Sequence, residues 1–260
     1  MALLEGRDVT VRYAGLVAAD RVSFSVELGE MVGLIGPNGA GKTTLLDALS
    51  GFVRPQGQVL IDGRDVTGWE PEKRTSLGMA RTFQRLELFA TMTVHDNLLV
   101  AAEANFAEVE FILNLLGRSR RGRGDELAWR VVDRLGLGPV ATRLAGEVPL
   151  GIGRLVEIGR ALCTEPQILL LDEPTSGLDE RETARLREVL AGLVRDDGLG
   201  VLLVEHDLNL VMGLCDRVAV MDFGRLIAQG TPEQMQRDPA VRAAYFGEEV
   251  EVSRAGVAGG

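Results

Sequence analysis

Residues 31–50, MVGLIGPNGAGKTTLLDALS, decide how this chain is read. A strand-like apolar run from Met31 to Ile35 meets a glycine-rich turn, and the helix-like KTTLLDALS follows at once. The turn, GPNGAGKT at residues 36–43, fits G-x-x-x-x-G-K-[ST] in the strand, turn, helix context that gives the pattern its meaning. Gly36, Gly39 and Gly41 let the backbone curl until consecutive N–H groups point inward. The start of the helix adds a partial positive charge, so the loop suits a phosphate chain. Gly36 through Thr44, with Pro37, Asn38 and Ala40 between the glycines, are the expected phosphate-lining residues. Lys42 would bridge the β- and γ-phosphates, and the Thr43 hydroxyl would hold Mg²⁺.

About 130 residues further on stands QILLLDEP, residues 167–174, an apolar strand running into two adjacent carboxylates. Side chains in sequence diverge at a strand end, so the pair can divide two tasks. Asp172 is expected near Mg²⁺ and Glu173 as the group that polarises an attacking water. The guanine-reading string N/T-K-x-D is missing from the sequence, which argues against a GTPase.

Composition sets the outer limits. With 28 basic and 38 acidic residues the formal net charge is −10, and 46% of the chain is hydrophobic. That is ordinary globular usage, and the acidic balance argues against a general nucleic-acid binder. The 32 glycines exceed the roughly 18 of average usage, yet they follow no three-residue period, which excludes collagen. Cys163 and Cys215 have no Cys or His grouping around them and read as two buried thiols in a reducing compartment. Glu5, Arg7 and Asp8 come too early for a secretory signal, and no apolar run reaches the roughly 18 residues of a membrane span. Any membrane role is therefore expected to be peripheral.

Along the chain, residues 7–13 and 21–28 alternate as strands, and 58–65 read as a hairpin around Asp62 and Gly63. From about Phe83 to Val148 the pattern turns helical. Val94, Leu98, Ala101 and Ala102 share one face, and Leu127, Val131, Val132 and Leu135 share another. Between them GRSRRGRG, residues 117–124, reads as a solvated connection, with anionic lipid or an acidic partner as the alternative contact. Helices near 152–164, 180–195 and 207–215 then alternate with strands at 167–171, 200–204 and 217–222, which implies a buried, largely parallel sheet. His95 is expected as a surface residue at a helix start. The tail from Val250 lacks periodicity and reads as frayed.

Further features stand in order: Gln84 in RTFQ, VPLGIGR at residues 148–154 ahead of LVEIGRAL, SGLD at 176–179, and His206 after VLLVE. With them the chain resembles the ATP-binding subunits of ABC transporters over essentially its whole length. The resemblance implies an α/β fold of the P-loop NTPase class and ABC ATPase type, with a mostly parallel core sheet, an antiparallel β subdomain and an inserted helical subdomain. One domain would span residues 1–260, its core and β parts near 1–82 and 155–247 and its helical part near 83–154. ATP and Mg²⁺ are the implied cofactors, each ATP lying between the phosphate loop of one subunit and the signature loop of another. Gln84 then matches the hinge loop that senses Mg²⁺ and the transmembrane partner, and His206 the switch histidine at the γ-phosphate. Tyr13, 23 residues before Gly36, matches the aromatic that stacks on adenine, with a packing role as its alternative. Ser176 and Asp179 match the loop that communicates across the dimer, though both suit a helix cap equally well.

The departure lies in the signature loop. Where L-S-G-G-Q is usual, this chain has Val148, Pro149, Leu150, Gly151 and Ile152, followed by Gly153. Proline at the serine position offers neither a hydroxyl nor an N–H. Residues 78–101 and 205–248 resemble the ATPase subunits of branched-chain amino acid importers, a group that includes urea and amide importers. The implied partners are a second ATPase subunit, identical or different, two permeases and, indirectly, a substrate-binding protein. The implied place is the cytoplasmic face of the membrane. A soluble ABC-type ATPase and a non-hydrolysing nucleotide-gated module are the alternatives.

Overall fold

The computed structural model describes residues 3–115 and 122–245, with the backbone alone for 107–115. Residues 117–121 of the arginine-rich stretch and the tail from Val250 lie outside the described residues. In chain order the elements are β1 (Leu4–Tyr13), β2 (Leu16–Val26), β3 (Met31–Ile35), α1 (Lys42–Ser50), β4 (Gln56–Ile61), β5 (Arg64–Asp65), α2 (Pro71–Thr75), β6 (Met79–Arg81), α3 (Val94–Leu115) and α4 (Arg123–Arg134). There follow α5 (Leu150–Leu162), β7 (Ile168–Asp172), α6 (Glu180–Arg195), β8 (Gly200–Val204), α7 (Leu208–Leu214), β9 (Arg217–Asp222), β10 (Arg225–Gly230) and α8 (Pro232–Arg237).

Two sheets organise these elements. The first is antiparallel, in the order β2, β1, β4, β5, and the second runs β10, β9, β3, β8, β7, β6. In the second sheet every pairing from β9 to β6 is parallel, and only β10 runs against its neighbour. The strands β3, β7 and β8 are buried at every residue, as expected of a parallel sheet covered on both faces. Their carboxyl ends carry the phosphate loop, Asp172 and the segment before His206. A ligand is therefore expected beyond that edge.

Hairpin chemistry explains the smaller sheet. Asp62 and Gly63 both take positive φ, 48° and 72°, the pair of conformations a tight two-residue hairpin requires. The β1 and β4 strands are joined in register from Leu4 with Ile61 to Arg7 with Gln58. Leu4, Val9, Val11, Val22, Val26 and Val59 point into a core shared with Leu45, Leu46 and Leu49 of α1.

The helical pattern expected from Phe83 begins only at Val94. Residues 83–93 form an irregular segment, held in place by the fully buried Asn97. Its amide donates to the carbonyls of Phe89 and Thr93 and accepts from the N–H of Phe89, at 2.9–3.1 Å. Thr93 and Asp96 exchange capping hydrogen bonds that start α3. The expected apolar faces meet as anticipated: Val94, Leu98 and Ala102 pack with Leu127, Val131, Val132 and Leu135 in one cluster. His95 departs from expectation. Its side chain is only 12% exposed, its ring stacks on Trp129 with centroids 4.3 Å apart, and Nε2 lies 3.3 Å from Asp125 Oδ1.

Two strands that the sequence reading passed over, β6 and β10, form the edges of the larger sheet. The three residues of β6 carry little pattern. The β9 to β10 turn is made at Phe223 and Gly224, both at positive φ. A buried arginine anchors the other end of α1. Arg74 donates through Nη1 to the carbonyls of Ala48 and Leu49 at 2.8 and 2.6 Å, and through Nε and Nη2 to Trp69 and Thr67. Those first two carbonyls belong to the last turn of α1, where a cation also meets the negative end of the helix dipole. Burial pulls the Arg74 guanidinium down to about 10, which leaves it charged at neutral pH.

Two outcomes follow for the folded chain. Arg74→Met retains the apolar stem but strands those carbonyls, and a urea titration is expected to show a loss of roughly 2–4 kcal/mol. Burial pushes both thiols, Cys163 and Cys215, up to about 12. A disulfide exchange reagent at mildly alkaline pH should label neither in the folded chain and both once it is unfolded.

Candidate active site

The phosphate loop sits between β3 and α1 under steric constraint from both sheets. A Cβ added at Gly41 would lie 2.1 Å from the Ala18 carbonyl of β2, and one at Gly36 would lie 2.1 Å from the Met221 carbonyl of β9. Only glycine permits either approach, and Gly41 also takes φ 97° as the residue before α1. The N–H of Gly224 donates to the Ala40 carbonyl at 3.0 Å, tying the β9 to β10 turn to the loop. Asn38, Gly39 and Thr43 face solvent, Pro37, Gly41 and Thr44 are half-buried, and Gly36, Ala40 and Lys42 are buried.

Lys42 folds back across this loop. Its Nζ donates to the carbonyls of Gly36 at 2.6 Å and Pro37 at 3.1 Å. Burial lowers its pKa, while the negative charges of Glu173 and Asp172 work the other way. The ammonium thus stands between the loop and the acidic pair of β7. Tyr13 ends β1, on the hairpin whose β2 strand abuts Gly41, and is 45% exposed.

Asp172 is the last residue of β7 and is buried. Through Oδ2 it meets Arg81 Nη2 at 3.3 Å, while Arg81 Nη1 reaches Asp47 Oδ1 and Ser50 Oγ, both at 2.7 Å. Desolvation raises the Asp172 pKa and the Arg81 charge opposes that rise. Sequence reasoning overlooked Arg81, whose role depends on strand neighbours far apart in the chain.

Glu173 takes φ 47°, a conformation that costs a non-glycine residue on the order of 1 kcal/mol or more and recurs at functional sites. Its N–H continues the sheet to Val204. Its carboxylate accepts from Gln84 Nε2 at 3.1 Å, and His206 Nδ1 lies 3.9 Å away. Three residues taken from separate motifs, Gln84, Glu173 and His206, therefore converge.

Glu205 supports that group and was also overlooked. It is fully buried, and its Oε1 accepts from the N–H and hydroxyl of Thr175 at 3.0 and 2.5 Å. Its Oε2 lies 3.3 Å from the His206 N–H. An acid at the end of an apolar strand, the same signal that marked Asp172, was present in VLLVE.

Helix α5 holds the backbone of the Gln84 segment. Arg154 donates to the carbonyls of Gln84 at 2.8 Å and Phe83 at 3.4 Å and pairs with Glu157, and Arg160 donates to Glu87. Pro149 precedes the helix and Leu150 is exposed. The Gly151 N–H donates to Glu182 Oε1 at 3.0 Å, Ile152 is half-buried, and Gly153 packs inward against Leu86. Asp179 caps α6 in a reciprocal box with Glu182, the alternative that its position allowed. The Ser176 N–H donates to the Glu173 carbonyl at 3.1 Å, so this loop continues directly from the acidic pair.

Thr43, Asp172 and Gln84 offer oxygen donors with a single carboxylate among them. Among the described residues no cluster of three or more His, Cys, Asp or Glu could hold a metal unaided. A set this sparse suits an ion that takes further ligands from phosphate oxygens, as Mg²⁺ does. Glu205→Ala would remove a buried acceptor from three donors on half-buried Thr175 and exposed His206, and a urea titration should register a loss of roughly 1–3 kcal/mol.

The ABC transporter family model matches residues 19–176, and a model described as the branched-chain amino acid ATP-binding cassette transporter matches residues 225–251. The high-affinity branched-chain amino acid transport ATP-binding protein BraF of Pseudomonas aeruginosa is 40% identical over 95% of this chain and 98% of its own. LivG of Escherichia coli K12, which bears the same description, is 40% identical with the same coverage. A solved ATP-binding cassette of an ABC transporter in its ADP conformation superposes with a TM-score of 0.82 at 32% identity, covering 95% of this chain and 99% of that one. No helix among the described residues is long and apolar enough to cross a membrane. Matched by the family model over more than half its length and by these relatives over nearly all of it, the chain belongs to the ABC transporter family, as one of its ATP-binding cassettes.

Proposed function

We propose that this cassette binds and hydrolyses Mg-ATP and powers the import of branched-chain amino acids, working as one of a pair of ATPase subunits beneath two permeases on the cytoplasmic face of the membrane. The observation that carries the hydrolytic reading is the Glu173 carboxylate, held by Gln84 beside His206 just past the carboxyl end of β7. The 40% identity to branched-chain amino acid transport proteins supports the choice of solute.

Each residue then has a physical task. The loop N–H groups from Gly36 to Thr44 bind phosphate oxygens, and the Lys42 ammonium exchanges the carbonyls of Gly36 and Pro37 for phosphate. Mg²⁺, when bound, neutralises phosphate charge, and Thr43, Asp172 and Gln84 are the residues to hold it. Glu173 takes a proton from water while His206 and Gln84 fix where that water stands. Tyr13 supports adenine with its exposed ring. Pro149, Leu150, Gly151, Ile152 and Gly153, together with Ser176 and Asp179, form the half of the site offered to a facing subunit. A facing subunit with a hydroxyl at the position of Pro149 would supply donors that this chain lacks.

The surface beside Gln84 suits the permease. A cavity of about 330 Å³ is lined there by Arg81, Phe83, Glu87, Glu157 and Arg160, and Phe83 and Phe89 are exposed next to it. Because Arg154 and Arg160 grip the backbone of this same segment, a push on it reaches Gln84, and through its amide Glu173.

Glu173→Gln keeps the shape and removes the base. It is expected to bind ATP as tightly as the natural chain in equilibrium titration while losing turnover by about a hundredfold or more. Undiminished hydrolysis would remove Glu173 from this role. Co-purification with permeases, and loss of leucine uptake on deletion, test the transport assignment. Intact leucine uptake with loss of urea or amide uptake would reassign the solute.

A further inference from the structure

One carboxylate joins the two loops offered to a facing subunit. Pro149, at the head of α5, makes no side-chain capping bond. The cap comes instead from another helix: Glu182 Oε1 accepts from the Gly151 N–H at 3.0 Å. The second oxygen, Oε2, accepts from the Asp179 N–H at 3.3 Å, and the Glu182 N–H returns a bond to Asp179 Oδ1 at 2.8 Å. The approach depends on glycine, since a Cβ at Gly151 would fall 2.8 Å from the Glu182 carboxyl carbon. Leu150 closes the same contact, with its Cδ2 lying 3.0 Å from where a Gly177 Cβ would stand.

The first N–H in α5 to reach back to a main-chain carbonyl is that of Gly153, which bonds Pro149 at 3.0 Å. The N–H groups of Leu150, Gly151 and Ile152 precede it and have no acceptor within their own helix. In the function proposed above this loop belongs to the half of the site offered to a facing subunit, and these N–H groups are the donors it can bring to that subunit's nucleotide. As the chain stands, Glu182 occupies the middle one. A polyphosphate brought to that place meets a carboxylate on the same donor, and the two negative charges repel.

We infer that Glu182 is a positioning residue for the half of the ATP site that this chain lends to its partner. Its carboxylate holds the signature loop against the loop at residues 176–179, and it leaves Gly151 when nucleotide on the facing subunit takes that N–H. Pro149 gives Glu182 this place, because a serine there could cap the helix itself. The inference rests on the proposed placement of the signature loop in trans. Its cost falls on closure of the pair and not on the chemical step, for which Lys42, Glu173 and His206 are unchanged. The expected signature is therefore a change in KM with little change in kcat.

Glu182→Gln keeps an oxygen for the Gly151 N–H and removes the charge, so the fold is retained. The test compares the full chain carrying Glu173→Gln with the same chain carrying Glu182→Gln as well, following ATP-dependent self-association by sedimentation. The ATP concentration at half-association should fall by about three- to tenfold, and more so at low salt. With Glu173 intact, Glu182→Gln should lower the KM for ATP by a similar factor and leave kcat within about twofold. Equal or weaker association in the double variant, including none in either chain, overturns the inference. Cysteines placed by Asn38→Cys and Leu150→Cys separate the two ways of failing. An ATP-dependent cross-link between copies with no effect of Glu182→Gln overturns the role of Glu182 alone, whereas the lack of a cross-link overturns the trans placement and the inference with it.

Discussion

Two carbonyl oxygens stand where side chains would otherwise be. The Ala18 carbonyl of one sheet and the Met221 carbonyl of the other each come within 2.1 Å of the place a Cβ would take on the phosphate loop, at Gly41 and Gly36. The loop is wedged between the sheets at their point of contact, and its curl is set by that wedge as much as by its own conformational freedom. The turn at Gly224 closes the clamp, donating to Ala40 and accepting from the Asp20 N–H. Substituting either loop glycine would therefore move β2 or β9, not merely strain the backbone locally.

Charge placement follows from that geometry. The site gathers cations and carboxylates at the carboxyl ends of buried strands, where solvent cannot screen them. Arg81 sits among Asp172, Asp47 and Ser50, so the buried Asp172 carboxylate has a counter-ion before any metal arrives. Glu205 is compensated differently, by hydrogen bonds from Thr175 and His206 that fix the segments on either side of Glu173. Lys42 has only carbonyls as direct partners, which makes it the group most ready to take up a phosphate.

What could be read from the sequence depended on how local the physics is. The phosphate loop and the acidic pair after β7 are each written in fewer than ten residues, and their strand, turn and helix settings stand as expected. Strands of the smaller sheet follow from alternation and the parallel sheet from continuous apolar runs, whereas the antiparallel β subdomain as a unit is implied by the resemblance alone. The segment 83–93 is irregular where a helical pattern is expected, because Asn97, several residues downstream, and pairing with residues 141–146 impose its conformation. His95 looked like a surface residue because nothing nearby reveals that Trp129 covers it. Arg81, Glu205 and Glu182 act across sequence separations of 30 to 91 positions and carry no motif of their own.

The loop from Gly36 to Thr44 is proposed as a phosphate site whose affinity depends on the Lys42 ammonium. Calorimetric titration of the full chain with Mg-ATP, natural chain against Lys42→Ala, tests it most directly. ATP is expected to bind the natural chain, and the variant at least about tenfold more weakly, with its thermal unfolding little changed. Equal affinities in the two chains would contradict it.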